Sequence, residues 1–388
     1  MSGKSLTVLV VHPHLHVFGG SEKLTKILIY ELASMNNEVV VLTTSKSPEF
    51  HEHPGVFFES IKEYQVTPTS SSVFIEKLIN AMYSIDEAIK RYSPDVCLTM
   101  IQEPVYTALA KLVKPTIGSA IYIHYPFEEE LTAYNMLTFL SMYRFPYIYE
   151  DLYRLADLHM SNSNYTAQAL YNSFKVESNV VYPAVEWDYF IDEPNLEEER
   201  ENVIVSVGRF VPQKRQDVLI EWYARYVKPA VPDSRLLIIG IPDGRFATYY
   251  EKLKNAAQQV EGVSMVDRPL SAEEMLKYYR ESKVYVHLRV GEHFGMAPVE
   301  AMSQGAIPIL PEKSGLAELI TPGRDGFVAG KDSNFINYVI KVLKAPREEL
   351  AQMRKFAYRR AWYFNPDRFA KEVAGYLKII AKSQQSTF

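Results

Sequence analysis

The sequence predicts an α/β protein with two doubly wound, Rossmann-like domains. Three observations predict this fold class: a length of 388 residues, a 47% share of apolar residues, and a series of short apolar runs that alternate with stretches of helical spacing in both halves. Short runs rich in Val and Ile are typical of strands buried on both faces of a parallel sheet. Their alternation with helices predicts a doubly wound sheet. The length suffices for two cores of ordinary size.

The first half contains five predicted strands, at residues 6–11, 38–43, 96–99, 117–123 and 158–161. After the first strand, Gly19-Gly20 leads into a stretch of helical spacing at 21–32, and Ser21 is its predicted N-cap. We therefore predict an N-terminal domain over residues 1–183.

The second half repeats the pattern, with strands at residues 203–207, 236–240, 264–266, 283–288 and 306–310. We predict a second domain over 184–366. The acidic stretch 183–201 has no strand pattern and is interpreted as the linker. Residues 367–382 carry apolar side chains at helical spacing, which indicates one amphipathic helix. The simplest interpretation makes it the final helix of the second domain.

Composition excludes several classes of protein. A net charge of -5 gives no broad positive field for nucleic acid. Cys97 is the single cysteine, so a disulfide within the chain and a thiolate zinc site are excluded, and we interpret it as a core residue. Neither a signal peptide nor a run of about 20 apolar residues is found. We expect a cytoplasmic protein that can still lie at a membrane surface.

Gly19-Gly20 forms the first candidate site. Two glycines let backbone amides approach a ligand, and the N-terminus of the following helix adds free N–H groups and positive partial charge. This combination suits a phosphate. A Gly pair is as often a simple turn, and the Gly-x-Gly-x-x-Gly spacing of dinucleotide enzymes is missing. Both interpretations stay open.

The second candidate site is the loop that begins at Gly208. Arg209 and Lys214 follow a buried strand directly, at the edge where open α/β sheets bind ligands. Two cations there can neutralise a diphosphate, also as it becomes a leaving group. The alternative is a solvated loop of charged residues. Arg215 is expected to point to solvent.

The third candidate site spans residues 289–302. Pro298 fits the first turn of a helix that runs to residue 304, and Gly295, Met296 and Ala297 would present backbone amides to a pocket. Glu292 lies in the loop and Glu300 in the helix, so they can reach different parts of one extended ligand. A carboxylate early in a helix is also common as simple capping.

Six aromatic side chains crowd residues 137–153: Phe139, Tyr143, Phe145, Tyr147, Tyr149 and Tyr153. Aromatic residues at helical spacing usually pack into a core, which is the first interpretation. An acceptor platform or a membrane-facing patch is the alternative.

Together these features resemble the retaining glycosyltransferases of family 4, over nearly the whole chain. Glu292 and Glu300, separated by seven residues, form the most specific motif. The resemblance also rests on Gly19-Gly20, Tyr122-Ile123-His124-Tyr125-Pro126, Ser161-Asn162-Ser163-Asn164-Tyr165-Thr166, Val181-Tyr182-Pro183-Ala184-Val185-Glu186, Arg209 with Lys214, and Gly323-Arg324-Asp325-Gly326-Phe327. The stretches at 122–126 and 292–295 look like mannosyltransferases that extend lipid-linked N-glycan precursors.

The resemblance implies the GT-B fold, with two Rossmann-like domains facing across a cleft and the C-terminal helix, 367–388, crossing back to the N-terminal domain. It implies that the N-terminal domain takes the acceptor and the other the nucleotide sugar. Gly19 and Gly20 would contact the donor diphosphate through the Gly20 amide. Arg209 and Lys214 would hold its charge, and Glu300 would accept hydrogen bonds from the ribose hydroxyls.

By the same resemblance, Glu292 and the backbone amides of Phe294, Gly295, Met296 and Ala297 would orient the transferred sugar. His124 would touch that sugar near the reacting centre; a buried structural histidine is the alternative. His293 neighbours the site without an assigned role.

The implied reaction moves mannose or glucose from GDP-mannose or UDP-glucose to a glycan or a lipid-linked saccharide. No Asp-x-Asp motif stands where a cation would bridge the diphosphate, so neither a metal nor another cofactor is expected. Retention is implied by the family. The stretch 240–244 departs from the family pattern, since it lacks the Gly-x-Gly that many relatives have after this strand.

Three other functions remain as alternatives. The first is a nucleotide-sugar 2-epimerase or hydrolase on the same fold, which would turn over without an acceptor. The second is a noncatalytic partner that binds a sugar nucleotide and regulates another transferase. A dehydrogenase comes third, because its glycine spacing is missing.

Overall fold

The computed structural model describes residues 5–17, 19–62, 73–126, 148–190 and 194–385. Contacts within the chain divide it into two compact units: Met1–Ala184 with Pro366–Phe388, and Val185–Asn365. The predicted boundaries, at 183/184 and 366/367, lie within one residue of these.

The first unit contains one parallel sheet. Its strands are β1 (Thr7–Val11), β2 (Glu38–Thr43), β3 (Val56–Ser60), β4 (Val96–Thr99), β5 (Gly118–Ile123), β6 (Leu158–Ser161) and β7 (Asn179–Val180). They pair in the order β3-β2-β1-β4-β5-β6-β7. The five predicted strands are confirmed to within one residue. The sequence missed β3 because its burial alternates irregularly, and β7 because it has only two residues.

Helices cover this sheet: α1 (Gly20–Ser34), α2 (Val73–Tyr92), α3 (Val105–Val113), α4 (Ile148–Arg154) and α5 (Asn164–Phe174). The predicted N-cap of α1 is wrong. Gly19 has the extended backbone of an N-cap, with φ -157° and ψ 178°, and α1 starts at Gly20. Ser21 is already helical, and its carbonyl accepts the Thr25 hydroxyl at 2.7 Å.

Two core predictions can be compared with the first unit. Cys97 is fully buried in β4, and burial raises the pKa of its thiol to about 12, which confirms a core residue. Tyr153 is also buried, packs on Phe174 and donates its hydroxyl to the Gln102 carbonyl. Residues 137–147 of the aromatic stretch, and the Tyr149 side chain, lie outside the described residues.

The second unit repeats the architecture. Its strands are β8 (Val203–Val207), β9 (Arg235–Ile239), β10 (Val263–Val266), β11 (Val284–Val286), β12 (Ile307–Pro311) and β13 (Phe327–Ala329), parallel in the order β10-β9-β8-β11-β12-β13. The five predicted strands are present, and β11 is shorter than predicted because it ends at Val286. Its helices are α6 (Gln216–Trp222), α7 (Lys228–Ala230), α8 (Ala247–Gln259), α9 (Ala272–Glu281), α10 (Met296–Ser303), α11 (Asp332–Leu343) and α12 (Arg347–Trp362).

The interpretation of residues 183–201 as a linker is wrong beyond Ala184. Leu196 and Arg200 are buried in the second unit. The Arg200 guanidinium donates to the carbonyls of Ser282 and Gln304 at 2.8 and 2.6 Å. The acidic composition concealed this packing, because hydrogen bonds to backbone carbonyls leave no periodic pattern in a sequence.

The last helix, α13 (Pro366–Gln385), belongs to the first unit. Phe369, Val373 and Leu377 are fully buried in the same apolar cluster as α1. The implied return of the chain to the first unit is confirmed, and the simpler interpretation as a final helix of the second domain is wrong. In the described part of the chain, no helix combines the length and apolar character that a membrane span requires.

Strand order locates a ligand site in each unit. In the first sheet, β1 lies between β2 and β4, so the strand order changes direction between β1 and β4. In the second sheet, β8 lies between β9 and β11, and the order changes direction between β8 and β11. Ligands of open α/β sheets bind at the carboxyl ends of the strands at this change of direction. Ligand sites are therefore expected at the residues after β1 and β4, and at those after β8 and β11.

Candidate functional site

Lys214 and Glu292 meet at the carboxyl ends of β8 and β11. Lys214 ends a short 3-10 turn, Pro212–Lys214, and its stem packs over Gly208. Its Nζ lies 2.6 Å from Glu292 Oε2, and the two side chains are only 17% and 16% exposed. The sequence predicted both residues for one site, and the structure brings them into direct contact.

Three donors surround Glu292 Oε2. Besides Lys214, His287 Nε2 lies 3.0 Å away and Arg289 Nε 3.8 Å away. Burial of the carboxylate favours its protonated form, but the Lys214 charge and the His287 hydrogen bond outweigh this and hold the Glu292 pKa well below its usual range. Glu292 is therefore ionised. Among the described contacts of its carboxylate, none ends on Oε1.

His287 is the neutral partner in this group. Burial lowers its pKa first, and the neighbouring Lys214 charge lowers it further. Since a carboxylate only accepts hydrogen bonds, the imidazole proton lies on Nε2 and is donated to Glu292. His293, next in the loop, is buried, which lowers its pKa to about 4. The Glu292 charge, which raises the His293 pKa, offsets only part of this effect.

Backbone hydrogen bonds fix the loop that carries Glu292. The Gly291 amide donates to the Lys313 carbonyl at 2.7 Å, and the Gly315 amide donates to the Glu292 carbonyl at 2.9 Å. Gly295 then turns the chain into α10 with φ +89°, a conformation that favours glycine. The carboxylate is held rigidly beside Lys214 as a result.

The N-terminus of α10 opens at the end of this loop. The first turn, with the amides of Met296 and Ala297, has no side-chain cap. Pro298 lies in the first turn, as predicted. The Phe294 side chain is buried against Phe364, so only its backbone can serve the predicted role.

Glu300 lies within α10 and is buried, with 6% exposure. The Tyr279 hydroxyl donates to its Oε2 at 2.9 Å. Burial, and then the Glu300 charge, raise the pKa of Tyr279 and Tyr189 well above the usual range, so both phenols stay protonated. The carboxylate is therefore oriented from the core side.

Arg209 stands apart from the pair. Its side chain is 59% exposed and pairs with Asp243 Oδ2 at 3.3 Å, in the loop after β9. A hydrogen bond from Arg245 is the main reason that the Asp243 pKa falls to about 2, and the Arg209 charge adds to it. The structure thus brings Lys214 and Glu292 together but not Arg209, which would have to leave Asp243 to bind a diphosphate.

The prediction that Arg215 points to solvent is corrected. Arg215 does not simply point to solvent, since its guanidinium pairs with Asp332 at 3.1 Å and lies over the Trp222 ring. The stretch 240–244 needs a glycine despite lacking Gly-x-Gly, because a Cβ at Gly240 would collide with the Gly208 carbonyl oxygen.

Sequence reasoning missed His287, Tyr279 and Asp243. The predicted strand 283–288 includes His287, but β11 ends at Val286 and places His287 at the carboxyl end of the sheet. A histidine at the end of a buried apolar run was the available signal. Tyr279 gave none, because a tyrosine on a helix usually packs into a core.

In the first unit, His124 follows β5 and His12 follows β1. His124 Nε2 donates to the Met100 carbonyl, at 3.1 Å, and burial lowers its pKa to about 4. The N-terminus of α1 begins at Gly20 on the same edge of the sheet. Among the described residues, no three His, Cys, Asp or Glu side chains are grouped as a metal would require.

Two family models together match most of the chain. Residues 18–188 match the family described as Glycosyltransferase Family 4, and residues 189–360 match Glycosyl transferases group 1. The chain belongs to these glycosyltransferases.

Some of the proteins similar to this chain have a named activity. The human GDP-Man:Man(3)GlcNAc(2)-PP-Dol alpha-1,2-mannosyltransferase is 23% identical, over 95% of this chain and 86% of its own. The same enzyme of Candida glabrata is 23% identical, over 80% and 70%. The glycosyltransferase therefore has mannosyltransferases among its relatives.

Solved structures show the fold of the glycosyltransferase. Anabaena HepE in complex with UDP-glucose superposes with a TM-score of 0.73 at 15% identity, over 96% of this chain and 99% of that one. Sucrose-phosphate synthase from Thermosynechococcus elongatus gives 0.77 at 16% identity, over 97% and 100%. Two parallel sheets with helices on this plan form the GT-B fold.

Proposed function

We propose that the protein is a retaining, metal-independent glycosyltransferase that moves a hexose, mannose or glucose, from a GDP- or UDP-sugar to a glycan or lipid-linked glycan. The single observation that carries the proposal is the ionised Glu292 carboxylate in contact with Lys214, beside the uncapped N-terminus of α10. This arrangement supplies both a cation and a hydroxyl-binding anion.

The charges support a reaction without a metal. A diphosphate leaving group needs positive charge as its bond to the sugar breaks. Lys214 has three N–H donors, of which one serves Glu292, and the Met296 and Ala297 amides add neutral donors at a positive helix end. Arg209 joins them if it exchanges Asp243 for the diphosphate. These groups replace the role of a divalent cation.

The remaining residues hold the sugar and the nucleoside. Glu292 Oε1 accepts hydrogen bonds from sugar hydroxyls while Oε2 stays with Lys214 and His287. Glu300 accepts hydrogen bonds from the ribose hydroxyls. His124, neutral at physiological pH, provides an imidazole contact near the reacting carbon of the sugar.

We infer a front-face substitution. The bond from sugar C1 to the phosphate oxygen breaks, and the acceptor hydroxyl oxygen bonds to C1 on the same face. The acceptor proton passes to the departing phosphate oxygen, so atoms and charge balance without a protein nucleophile. A glycosidase scheme with a carboxylate nucleophile is not needed.

The names of these relatives favour one donor and one acceptor. They transfer mannose from GDP-mannose to a dolichol-linked oligosaccharide, by their printed names. We therefore favour GDP-mannose as donor and a lipid-linked saccharide as acceptor. The enzyme would then work at a cytoplasmic membrane face, as a peripheral protein.

Acceptor-dependent turnover tests this function. With GDP-mannose or UDP-glucose, excess EDTA and a mannose-containing oligosaccharide, we expect nucleotide release that depends on the oligosaccharide, and an α-linked product by NMR. Equal turnover without the oligosaccharide would indicate the epimerase or hydrolase instead. A β-linked product would contradict retention, and binding of the sugar nucleotide without any turnover would indicate the regulatory partner.

A further inference from the structure

An unpartnered buried nitrogen lies beside the N-terminus of α1. His12 follows β1 and is 0% exposed, yet within the described part of the chain its Nε2 has no hydrogen-bond partner. Buried polar atoms are nearly always paired, because an unpaired one has lost its water without a replacement. The atom therefore has a free N–H or lone pair for a partner from outside the described residues.

The protonation state of His12 follows from its contacts. Nδ1 accepts the backbone N–H of His14 at 3.3 Å, so the single proton of the neutral ring lies on Nε2. Burial, and then the charged forms of the nearby His124 and His14, lower the His12 pKa to about 3. His12 is thus a neutral N–H donor at physiological pH.

Glu22 faces this donor from the first turn of α1. Its Oε1 lies 3.8 Å from His12 Nε2, too far for a direct hydrogen bond. Its other oxygen folds back over Gly19, at the helix N-terminus. The Glu22 carboxylate therefore already lies at the N-terminus of α1, where the helix would otherwise attract an anion.

The gap between the two atoms selects a hydroxyl group. An oxygen about 2.8 Å from each atom, to one side of the line that joins them, would accept from His12 and donate its own proton to Glu22. A phosphate oxygen has no proton to donate, and its charge would be repelled by the carboxylate. We propose that His12 and Glu22 form a binding pair for a sugar hydroxyl in the first unit.

This inference rests on the proposed function, and it differs from the diphosphate contact that family resemblance implies for Gly20. The hydroxyl can come from the acceptor or from the transferred hexose. Both sources present the same chemistry to the pair. The Lys214 site is not involved, so the two sites can be tested separately.

Two substitutions of His12 form a matched pair. In His12→Asn, the amide oxygen replaces Nδ1 and keeps the hydrogen bond from His14, while no donor reaches the Nε2 position. In His12→Gln, the longer amide returns an N–H there. His16→Gln is the control, since His16 is exposed and its described side-chain contacts are with Ser45 and the His14 ring.

Each variant is titrated with methyl α-mannoside by saturation-transfer NMR, and with GDP and GDP-mannose by calorimetry. If the acceptor supplies the hydroxyl, we expect His12→Asn to bind the mannoside roughly tenfold more weakly. If the donor supplies it, we expect His12→Asn to bind GDP-mannose roughly tenfold more weakly relative to GDP. His12→Gln should restore binding to within about threefold. His16→Gln should bind like the unchanged protein.

Several results would overturn the inference. One is a His12→Asn variant that binds mannoside and GDP-mannose normally; another is weaker binding of GDP itself, which would indicate a phosphate site. A further contrary result is that no protein, unchanged or variant, binds the mannoside while all of them bind GDP-mannose normally. The pair would then bind only a water molecule. If His12→Asn does not fold, Glu22→Gln with the same titrations replaces it. Failure of the unchanged protein to bind any sugar nucleotide would contradict the proposed function instead.

Discussion

Lys214→Ala is expected to lower kcat by about 10³-fold, the loss found when a preorganised donor to a developing negative charge is removed. Lys214 is the one cation in hydrogen-bond contact with Glu292 among the described residues. Its removal takes positive charge from the leaving diphosphate and leaves Glu292 with His287 and Arg289. Steady-state kinetics with a saturating nucleotide sugar measure the effect.

Arg215→Ala is the matched control. It removes the neighbouring cation, which pairs with Asp332 and not with Glu292. We expect its kcat to stay within about twofold, as is usual for surface substitutions. The thermal midpoint of Lys214→Ala should show a folded protein that is less stable by about 1–3 kcal/mol, because one partner of a part-buried pair is lost. Normal turnover in Lys214→Ala would contradict the site.

Glu300→Gln is expected to lower kcat/KM for the nucleotide sugar by about 100-fold, mostly through KM. An amide keeps the shape and one acceptor oxygen but loses the charge that strengthens hydrogen bonds from two ribose hydroxyls. The Tyr279 hydroxyl can still donate to that oxygen, so the core around α10 stays intact. Donor KM and kcat are measured separately to show this pattern.

A donor with a deoxyribose supplies the control for Glu300. If Glu300 binds the ribose, the unchanged enzyme should have a low kcat/KM for the 2′-deoxy or the 3′-deoxy donor. With that donor, Glu300→Gln should lower kcat/KM much less, because the hydrogen bond to the missing hydroxyl is already absent. Tyr279→Phe, which removes only the orienting hydroxyl, should raise KM by a smaller factor. Equal losses with ribose and deoxyribose donors would place Glu300 elsewhere on the ligand.

Most of the fold could be predicted because its strands are buried on both faces. A run such as Val203–Val207 is apolar at nearly every position, which few other structures require. Val56–Ser60 was missed because it lies at the sheet edge and mixes buried with exposed residues. The segment around Arg200 was misassigned because its burial depends on carbonyl groups far away in the sequence.

The parts of the candidate site that could be predicted are charged residues at a characteristic spacing after a strand. Lys214, Glu292 and Glu300 all follow strand ends, and the structure gives each a partly or fully buried position. Contacts between loops were not predictable. The pairing of Arg209 with Asp243 depends on how the loops after β8 and β9 approach each other, which the Gly240 contact controls.

Unpaired atoms were also beyond sequence analysis. His12 stands in a histidine-rich stretch that gave no pattern, and only the structure shows its proton beside Glu22 without a partner among the described residues. His287 is a similar case, since its role depends on the carboxylate that a later loop brings to it.

The most direct test of the central claim is thermal stabilisation of the purified protein by GDP-mannose, UDP-glucose, UDP-N-acetylglucosamine and NAD, each with and without EDTA. A ligand that binds only the folded state raises the midpoint according to its affinity. We predict a rise with one sugar nucleotide, GDP-mannose first, that EDTA leaves unchanged and that Lys214→Ala reduces. A response to NAD alone, or a rise that EDTA abolishes, would contradict a metal-free glycosyltransferase.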